Sequence, residues 1–218
     1  MVDNQHWLDR WQEDRIGFHE ASVNRHLQNW FPSLAPAAGS NVFLPLCGKA
    51  LDILWCAQQG YEVIGIELSQ IAIEAFFEES SIAFERSGSE RFEIYRAEHI
   101  TLLQGDFFDL TGDDLQDCRL VYDRAALIAM QGDSRLRYYD HMLSILPQSC
   151  GMLLISLEYD QQEMQGPPFS VPTDEILQHY HEQFSIKILE TNSIIDERPR
   201  WRKVGLRALQ ESVFSLTR

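Results

Sequence analysis

The 218-residue sequence is poor in basic residues, which already argues against several classes of partner. Only 18 lysines and arginines stand against 33 aspartates and glutamates, so the formal net charge at pH 7 is −15. An electrostatic field of that sign repels phosphate backbones and anionic lipid headgroups. We therefore expect neither a nucleic-acid nor a membrane partner.

Paired cysteines and targeting segments are missing as well. The four cysteines (Cys47, Cys56, Cys118 and Cys150) form no C-x-x-C pair and no Cys/His cluster with zinc spacing. They are predicted to be free thiols in a reducing compartment, and no metal site is expected. No window reaches the roughly 18 apolar residues of a membrane span, and the first residues do not resemble a signal peptide. These absences predict a cytoplasmic protein.

The sequence does contain short apolar runs that alternate with amphipathic segments. This alternation predicts an α/β fold, a Rossmann-like and mainly parallel sheet with helices on both faces, because parallel strands need helical crossovers. No stretch is typical of a linker, so a single domain over 1–218 is expected. Residues 1–35 would form an N-terminal helical cover, and 40–218 would form the core.

The individual elements follow from the same periodicity. Helices are predicted over 3–14, 22–30, 50–58, 70–79 and 135–146, and strands over 41–46, 62–66, 120–122 and 152–157, with a hairpin over 92–95 and 100–103. Gly60 and Ser69 are predicted helix caps, and Pro32, Pro36 and Gly39 mark a predicted turn. The segments 186–190 and 205–216 are predicted strands with no helix between them, so they should pair antiparallel.

Candidate ligand-binding residues follow the predicted strands, because ligands of an open parallel sheet bind at the carboxyl ends of its strands. Gly48 would let a ligand approach the backbone closely. Glu67 lies at the spacing of an acid that accepts hydrogen bonds from ribose hydroxyls. A loop glycine and a solvated glutamate are the alternative interpretation. Asp106 and Phe107 are candidates to contact an adenine, or else belong to a simple turn.

The glycine-rich fingerprint G-x-G-x-x-G is absent, since Gly48 stands alone between residues 46 and 53. A pyrophosphate needs that close backbone approach at a helix N-terminus, whereas S-adenosylmethionine carries no phosphate. The residues therefore favour S-adenosylmethionine over a dinucleotide. An NAD-dependent oxidoreductase and a non-catalytic nucleoside-binding module remain the alternatives on the same fold.

Several longer motifs occur in the order found in one methyltransferase family. They are Trp7-x-x-x-Trp11, Ile16-Gly17-Phe18-His19, Pro45-Leu46-Cys47-Gly48-Lys49, Gly65-Ile66-Glu67-Leu68-Ser69, Asp123-Arg124 and Gly166-Pro167-Pro168-Phe169. P-L-C-G-K followed by G-I-E-L-S is distinctive. The sequence thus resembles the thiopurine S-methyltransferases over nearly the whole chain, from residue 7 to about 172. It departs from them at Ala125, where a glycine is expected.

The resemblance implies a seven-stranded Rossmann-like fold whose last strand is antiparallel, with the N-terminal segment covering the site. It implies S-adenosylmethionine contacts at Trp11, Leu46, Glu67 and Arg124, and places Phe18 near the acceptor. The implied activity is methyl transfer to the sulfur of aromatic or heterocyclic thiols such as thiopurines, with S-adenosylhomocysteine as product. Gly48 is expected to face the amino-acid moiety of the cofactor, and no metal is required.

Three side chains bear on the acceptor. Arg124 is the candidate catalytic residue because its planar guanidinium pairs with anions. A salt bridge to Asp123 or another neighbour is the structural alternative, and both can hold because Asp123 could orient Arg124. Phe169 is expected to line the acceptor site together with Phe18. His19 could be a general base, but an aromatic thiol ionises near neutrality, so a packing or surface histidine is the preferred interpretation.

The remaining expectations concern packing and the natural acceptor. Trp11 either packs on the cofactor or belongs to the core, and Trp7 is the better core candidate of the two. A small thiol or another soft chalcogen nucleophile, including selenium and tellurium species, is the expected acceptor. A monomer is expected because no predicted helix or strand presents an apolar interface.

Overall fold

A computed structural model describes residues 4–34 and 37–218. The α-helices in these ranges are α1 (Asn4–Gln12), α2 (Arg25–Leu34), α3 (Leu51–Gln58), α4 (Gln70–Ser80), α5 (Gly132–Ile145), α6 (Thr173–Tyr180) and α7 (Pro199–Lys203). The strands are β1 (Asn41–Leu44), β2 (Glu62–Glu67), β3 (Glu85–Gly88), β4 (Glu93–Ala97), β5 (Ile100–Gln104), β6 (Cys118–Arg124), β7 (Gly151–Glu158), β8 (Ser185–Ser193) and β9 (Gln210–Thr217). Short 3₁₀ turns occur at Phe107–Asp109, Gly112–Leu115, Leu127–Ala129 and Ile195–Glu197.

These strands form one sheet in the order β3-β4-β5-β2-β1-β6-β7-β9-β8. The five central strands, from β5 to β7, are parallel. Antiparallel pairs extend the sheet at both edges. The mainly parallel Rossmann-like fold is therefore confirmed, with nine strands instead of the expected seven. The additional strands are β3 and β4, which continue the sheet beyond β5, and β9 is antiparallel as expected.

Helices cover both faces of the central strands, and this explains why those strands are apolar on both sides. On one face, α2, α3 and α4 bury residues such as Leu27, Ile53 and Phe76. On the other, α5 and α6 bury Tyr138 and Ile176. Because both faces are covered, the ends of the parallel strands remain the place where a ligand reaches the sheet.

Most predicted elements are present within one to five residues of their expected bounds. Ser69 precedes α4, and its hydroxyl accepts a hydrogen bond from the Ala72 amide at 3.4 Å. Gly60 follows α3 with a φ of 85°, a left-handed conformation typical of the residue that ends a helix. The hairpin of β4 and β5 and the antiparallel pairing of β8 with β9 are also confirmed.

Four predictions about elements are wrong or incomplete. The short helix α7 lies between β8 and β9, where no helix was expected, and α6 was not predicted. The strand β3 was missed because its residues are all exposed, so it has no alternating apolar pattern and depends on pairing with β4. The helix α2 continues through Pro32 to its end. Pro36 and the first residue of the predicted helix 3–14 lie outside the described residues.

All four cysteines are buried and unpaired, as predicted. Cys118 and Cys150 come closest, with 3.5 Å between their sulfur atoms. None of the helices in the described ranges has the length and apolar character needed to cross a bilayer.

Candidate active site

The carboxyl ends of the central strands open into a cavity of about 1080 Å³. Its volume lies just above the range of roughly 300–1,000 Å³ that is typical of small-molecule sites. Eight of the predicted site residues line it: Trp11, Phe18, Leu46, Gly48, Glu67, Asp106, Phe107 and Arg124. These residues come from six separate places in the sequence, and the strand order brings them together.

Glu67 ends β2 and is buried, with 6% of its surface exposed. Its Oε2 accepts a hydrogen bond from the Gly48 amide at 2.8 Å, and its Oε1 accepts one from the Ser69 amide at 2.8 Å. Burial raises the pKa of the carboxyl above its ordinary value, although these backbone donors oppose the shift. A carboxylate has four acceptor positions, so acceptor capacity remains for a ligand hydroxyl beside the backbone donors Ser69, Gly48 and Leu68.

The loop after β1 approaches the cavity through two residues in the left-handed region. Leu46 has a φ of 47° and Gly48 a φ of 53°. A non-glycine residue with such a φ is strained, and strain of this kind often accompanies binding sites. A Cβ on Gly48 would lie 3.1 Å from the Trp11 ring, so a side chain here would have to displace that ring slightly and would also strain the left-handed backbone.

The helix α1 covers the cavity from above the strand ends. Its Asn4 side chain donates a hydrogen bond to Asp106 Oδ2 at 2.7 Å. Phe18 packs edge-on against Trp7 and Trp11, with ring centroids 5.6 and 5.5 Å apart. Trp11 is the buried tryptophan, at 7% exposure, whereas Trp7 is half-buried. The expectation that Trp7 is the core residue of the pair is therefore wrong.

Asp106 and Phe107 follow β5 at the far side of the cavity from Arg124. Asp106 caps the short turn that follows, because its Oδ1 accepts a hydrogen bond from the Phe108 amide at 2.9 Å. Phe107 is buried and stacks on Tyr138, with ring centroids 4.9 Å apart. The turn interpretation of Asp106 is thus correct, and the residue also lines the cavity.

Arg124 ends β6 and forms an ion pair across the cavity with the N-terminal segment. Its Nη2 lies 2.9 Å from Glu20 Oε2, and the other oxygen of Glu20 lies 2.9 Å from Arg198 Nη2. The suggestion that Asp123 pairs with Arg124 is wrong. Successive side chains of a strand point to opposite faces, and Asp123 points to the α5 face, where it accepts a hydrogen bond from the Tyr138 hydroxyl at 2.8 Å.

Asp123 is fully buried, and burial raises its pKa from 3.8 to about 6. We expect Asp123→Asn to remove a pH-dependent loss of stability. The folded protein holds this proton between about pH 4 and 6 while the unfolded chain releases it, so the stability of the wild type falls as pH rises through that window. In urea unfolding, the free energy of unfolding of Asp123→Asn relative to the wild type should rise by about 3 kcal/mol as the pH increases from about 4 to 6. Above about pH 6 this difference should stay constant.

The exposed Asp113 is the matched control, since Asp113→Asn removes the same charge without a buried site. A difference between wild type and Asp123→Asn that stays constant from pH 4 to 7 would contradict the assignment.

Ala125 has a φ of 65°, in the region that glycine occupies without strain. This conformation explains why glycine is expected at the position. The loop keeps its shape with alanine, and the cost is backbone strain beside Arg124.

Phe169 does not line the cavity. It is buried, and its amide donates a hydrogen bond to the Ile128 carbonyl at 2.7 Å. The neighbouring Pro167 and Pro168 line the cavity in its place. The position of Phe169 is thus that of a supporting residue behind the cavity surface.

His19 lines the cavity and is half-buried. Burial and the positive charges of Lys49 and Arg124 lower the pKa of its imidazole, against the opposing effect of Glu79 and Glu20. The ring is therefore neutral at pH 7.

Sequence reasoning missed three further charged residues of the cavity. Glu20, Arg198 and Arg200 all line it, and Arg200 Nη1 donates a hydrogen bond to the Gly17 carbonyl at 2.6 Å. The available signal was the basic run R-P-R-W-R-K over 198–203, which is unusual in so acidic a chain. Its contact with the N-terminal segment could not be inferred without the fold.

The cavity fits a nucleoside without phosphates. Glu67 keeps acceptor capacity for hydroxyl groups, and Gly48 presents its backbone to the cavity without a side chain. Asp106 adds a second carboxylate at the same rim, which would disfavour a phosphate. Among the described residues, no group of three or more His, Cys, Asp or Glu side chains is arranged to hold a metal ion.

Comparison with known proteins places these features in one family. The family model described as thiopurine S-methyltransferase matches residues 2–218. The thiopurine S-methyltransferase of Nitrosospira multiformis is 43% identical over 215 residues, covering 99% of this chain and 98% of the relative. That of Marinobacter nauticus is 41% identical over 218 residues and covers both chains completely.

Solved structures support the fold at much lower identity. A SAM-dependent methyltransferase from Anabaena variabilis aligns with a TM-score of 0.67 at 13% identity, covering 99% of this chain and 95% of the other. A SAM-dependent methyltransferase from Thiobacillus denitrificans, in complex with S-adenosyl-L-homocysteine, gives 0.60 at 14%, covering 96% and 98%. The chain belongs to the thiopurine S-methyltransferase family, whose members are S-adenosylmethionine-dependent S-methyltransferases.

Proposed function

We propose that this protein methylates the sulfur of small aromatic or heterocyclic thiols, thiopurines among them, and releases S-adenosylhomocysteine. The observation that carries the proposal is the position of Glu67 and Arg124. The two side chains line the same cavity. Glu67, at the end of β2, is a buried carboxylate that can accept hydrogen bonds from hydroxyl groups, and Arg124, at the end of β6, is a cation.

In this proposal, Glu67 holds the ribose of the cofactor, because its remaining acceptor capacity suits the sugar hydroxyls. Leu46 and Gly48 approach the amino-acid moiety through their backbone. Asp106 and Phe107 contact the adenine at the other end of the cavity. These roles match the two ends of a nucleoside with an amino-acid tail.

When bound, the cofactor supplies an electrophilic methyl group on a sulfonium. Arg124 attracts the acceptor thiolate by its positive charge and orients it by hydrogen bonds, since a guanidinium presents its donors in a planar fork. Trp11 and Phe18 exclude water from the reacting groups. Because an anion and a cation neutralise each other in this reaction, a dry site that aligns the acceptor supplies most of the rate enhancement.

His19 has no required part in this mechanism, because an aromatic thiol loses its proton without a base near neutral pH. We expect His19→Ala to lower kcat/KM for an aryl thiol by less than about tenfold, measured at pH 7.5. A loss greater than about 100-fold, with an unchanged melting temperature, would identify His19 as a general base instead.

The direct test is formation of S-adenosylhomocysteine from S-adenosylmethionine and 4-mercaptobenzamide, with the methyl thioether detected by mass spectrometry. Calorimetric titration with S-adenosylhomocysteine and with NAD separates this function from the oxidoreductase alternative. Tight binding of S-adenosylhomocysteine without turnover of any thiol would favour the non-catalytic binding module.

The proposal extends to the natural acceptor and to the setting of the enzyme. Selenols and tellurols are softer nucleophiles than thiols and suit the same cavity, so methylation of selenium and tellurium compounds is included. Competition between a selenol and an aryl thiol for turnover tests this extension.

We further propose that the protein is a monomer that acts in the cytoplasm. Light scattering would check the oligomeric state, and cell fractionation would check the localisation.

A further inference from the structure

Glu20 occupies an unusual position in the cavity, between two guanidinium groups. Its Oε2 lies 2.9 Å from Arg124 Nη2, and its Oε1 lies 2.9 Å from Arg198 Nη2. All three side chains line the cavity and are largely buried, with 26% of Glu20 exposed, 16% of Arg124 and 35% of Arg198. The carboxylate therefore fills the place in which an external anion would bind both arginines.

The Glu20 carboxyl remains ionised at the pH of the reaction. Burial alone would raise its pKa, but the charge of Arg124 and the hydrogen bond from Arg198 outweigh burial, so the pKa lies below its ordinary value. Two positive charges and one negative charge give this group of three a net charge of +1. That charge suits one thiolate, whereas a second anionic group on the acceptor would compete with Glu20 itself.

Three of the other cations that line the cavity already have partners. A fourth, Arg10, lies over the Phe18 ring, with 5.6 Å between its Cζ and the ring centroid. Lys49 pairs with Glu79 at 2.5 Å, and Arg25 lies 3.5 Å from Glu197 and 3.6 Å from Glu211. Arg200 donates to a backbone carbonyl on the N-terminal segment.

We propose that Glu20 determines the acceptor specificity of this enzyme, selecting thiols whose only negative charge is the thiolate and disfavouring thiols that also carry a carboxylate. This inference rests on the proposed function, because it takes the acceptor to lie beside Arg124. Glu20 acts here as a built-in anion that an acidic acceptor must displace or approach at the cost of repulsion.

The test compares 4-mercaptobenzoate with 4-mercaptobenzamide, two thiols of nearly the same shape that differ by one charge. In the wild type, kcat/KM should be at least about tenfold higher for the benzamide. In Glu20→Gln, the preference should fall by about tenfold or more, mainly through a lower KM for the benzoate. Glu13→Gln is the matched control, since Glu13 is exposed and pairs only with its neighbour Arg15 among the ion pairs of the described residues.

A Glu20→Gln enzyme that turns over the benzamide and keeps the wild-type preference within twofold would overturn the proposal. If the variant turns over neither thiol or does not fold, titration of the wild-type S-adenosylhomocysteine complex with benzoate and with benzamide decides. Tighter binding of benzamide supports the role of Glu20, and equal or tighter binding of benzoate overturns it. Failure of the proposed function is distinguishable, because the wild type would then methylate no aryl thiol while this titration still reports on Glu20.

Discussion

Glu67→Gln should weaken the binding of S-adenosylhomocysteine by about 100-fold, because the variant loses two charge-assisted hydrogen bonds of about 1.5–3 kcal/mol each and regains part of one. The carboxylate has a second task, since it accepts the Gly48 and Ser69 amides and so fixes both loops that face the cavity. An amide in its place would direct an N–H₂ group at one of those donors. Calorimetric titration measures the affinity.

Glu62→Gln is the matched control for this variant. Glu62 begins the same strand and pairs with His99 at the surface, away from the cavity. Its replacement should leave the affinity within about twofold of the wild type. If Glu67→Gln also changed the affinity by no more than about twofold, Glu67 would not contact the cofactor, and the proposed binding geometry would be wrong.

Arg124→Met should lower kcat/KM for an aryl thiolate by about 100-fold, since the acceptor loses a charge-assisted partner at the reacting end of the cavity. Affinity for S-adenosylhomocysteine should fall less, because Glu67 and the loop after β1 remain in place. Arg124→Lys keeps the charge but loses the planar fork, so its rate should lie between those of Arg124→Met and the wild type. Steady-state kinetics with varied thiol separates the effects on kcat and KM.

Arg119→Met controls for the loss of a positive charge on the same strand. Arg119 is an exposed residue near the opposite end of β6 from the cavity. The kcat/KM of Arg119→Met should stay within about twofold of the wild-type value. Equal rates for Arg119→Met and Arg124→Met would mean that the acceptor binds elsewhere. Melting temperatures of both variants show whether the loss of the Glu20 contact has altered the fold.

The sequence predicts the parts of the site that follow strands. Gly48, Glu67 and Arg124 were identifiable because each stands directly after or at the end of an apolar run, and such ends meet at one edge of a parallel sheet. Phe169 shows the limit of this reasoning. The motif Gly166-Pro167-Pro168-Phe169 identifies the correct segment of the chain. Packing decides which of its residues line the cavity: Pro167 and Pro168 do, whereas the ring of Phe169 is buried.

Elements without an apolar pattern were harder to predict. All residues of β3 are exposed, and only pairing with β4 makes them a strand. The helix α7 spans five residues, too few for a periodic signal. Strands β1, β2 and β7 were predicted because their burial on both faces requires continuous apolar residues.

The sequence by itself determined the α/β fold, the strand-end residues that line the cavity and the lack of a G-x-G-x-x-G fingerprint, because each of these depends on residue types within short segments. Only the tertiary structure decided the partners of those residues. Glu20 and Arg198 are 178 positions apart. No local pattern relates them until β9 pairs with β7 and β8, which places the connection between β8 and β9 at the cavity. The charge of the acceptor site therefore depends on a contact that the chain makes only when it is folded.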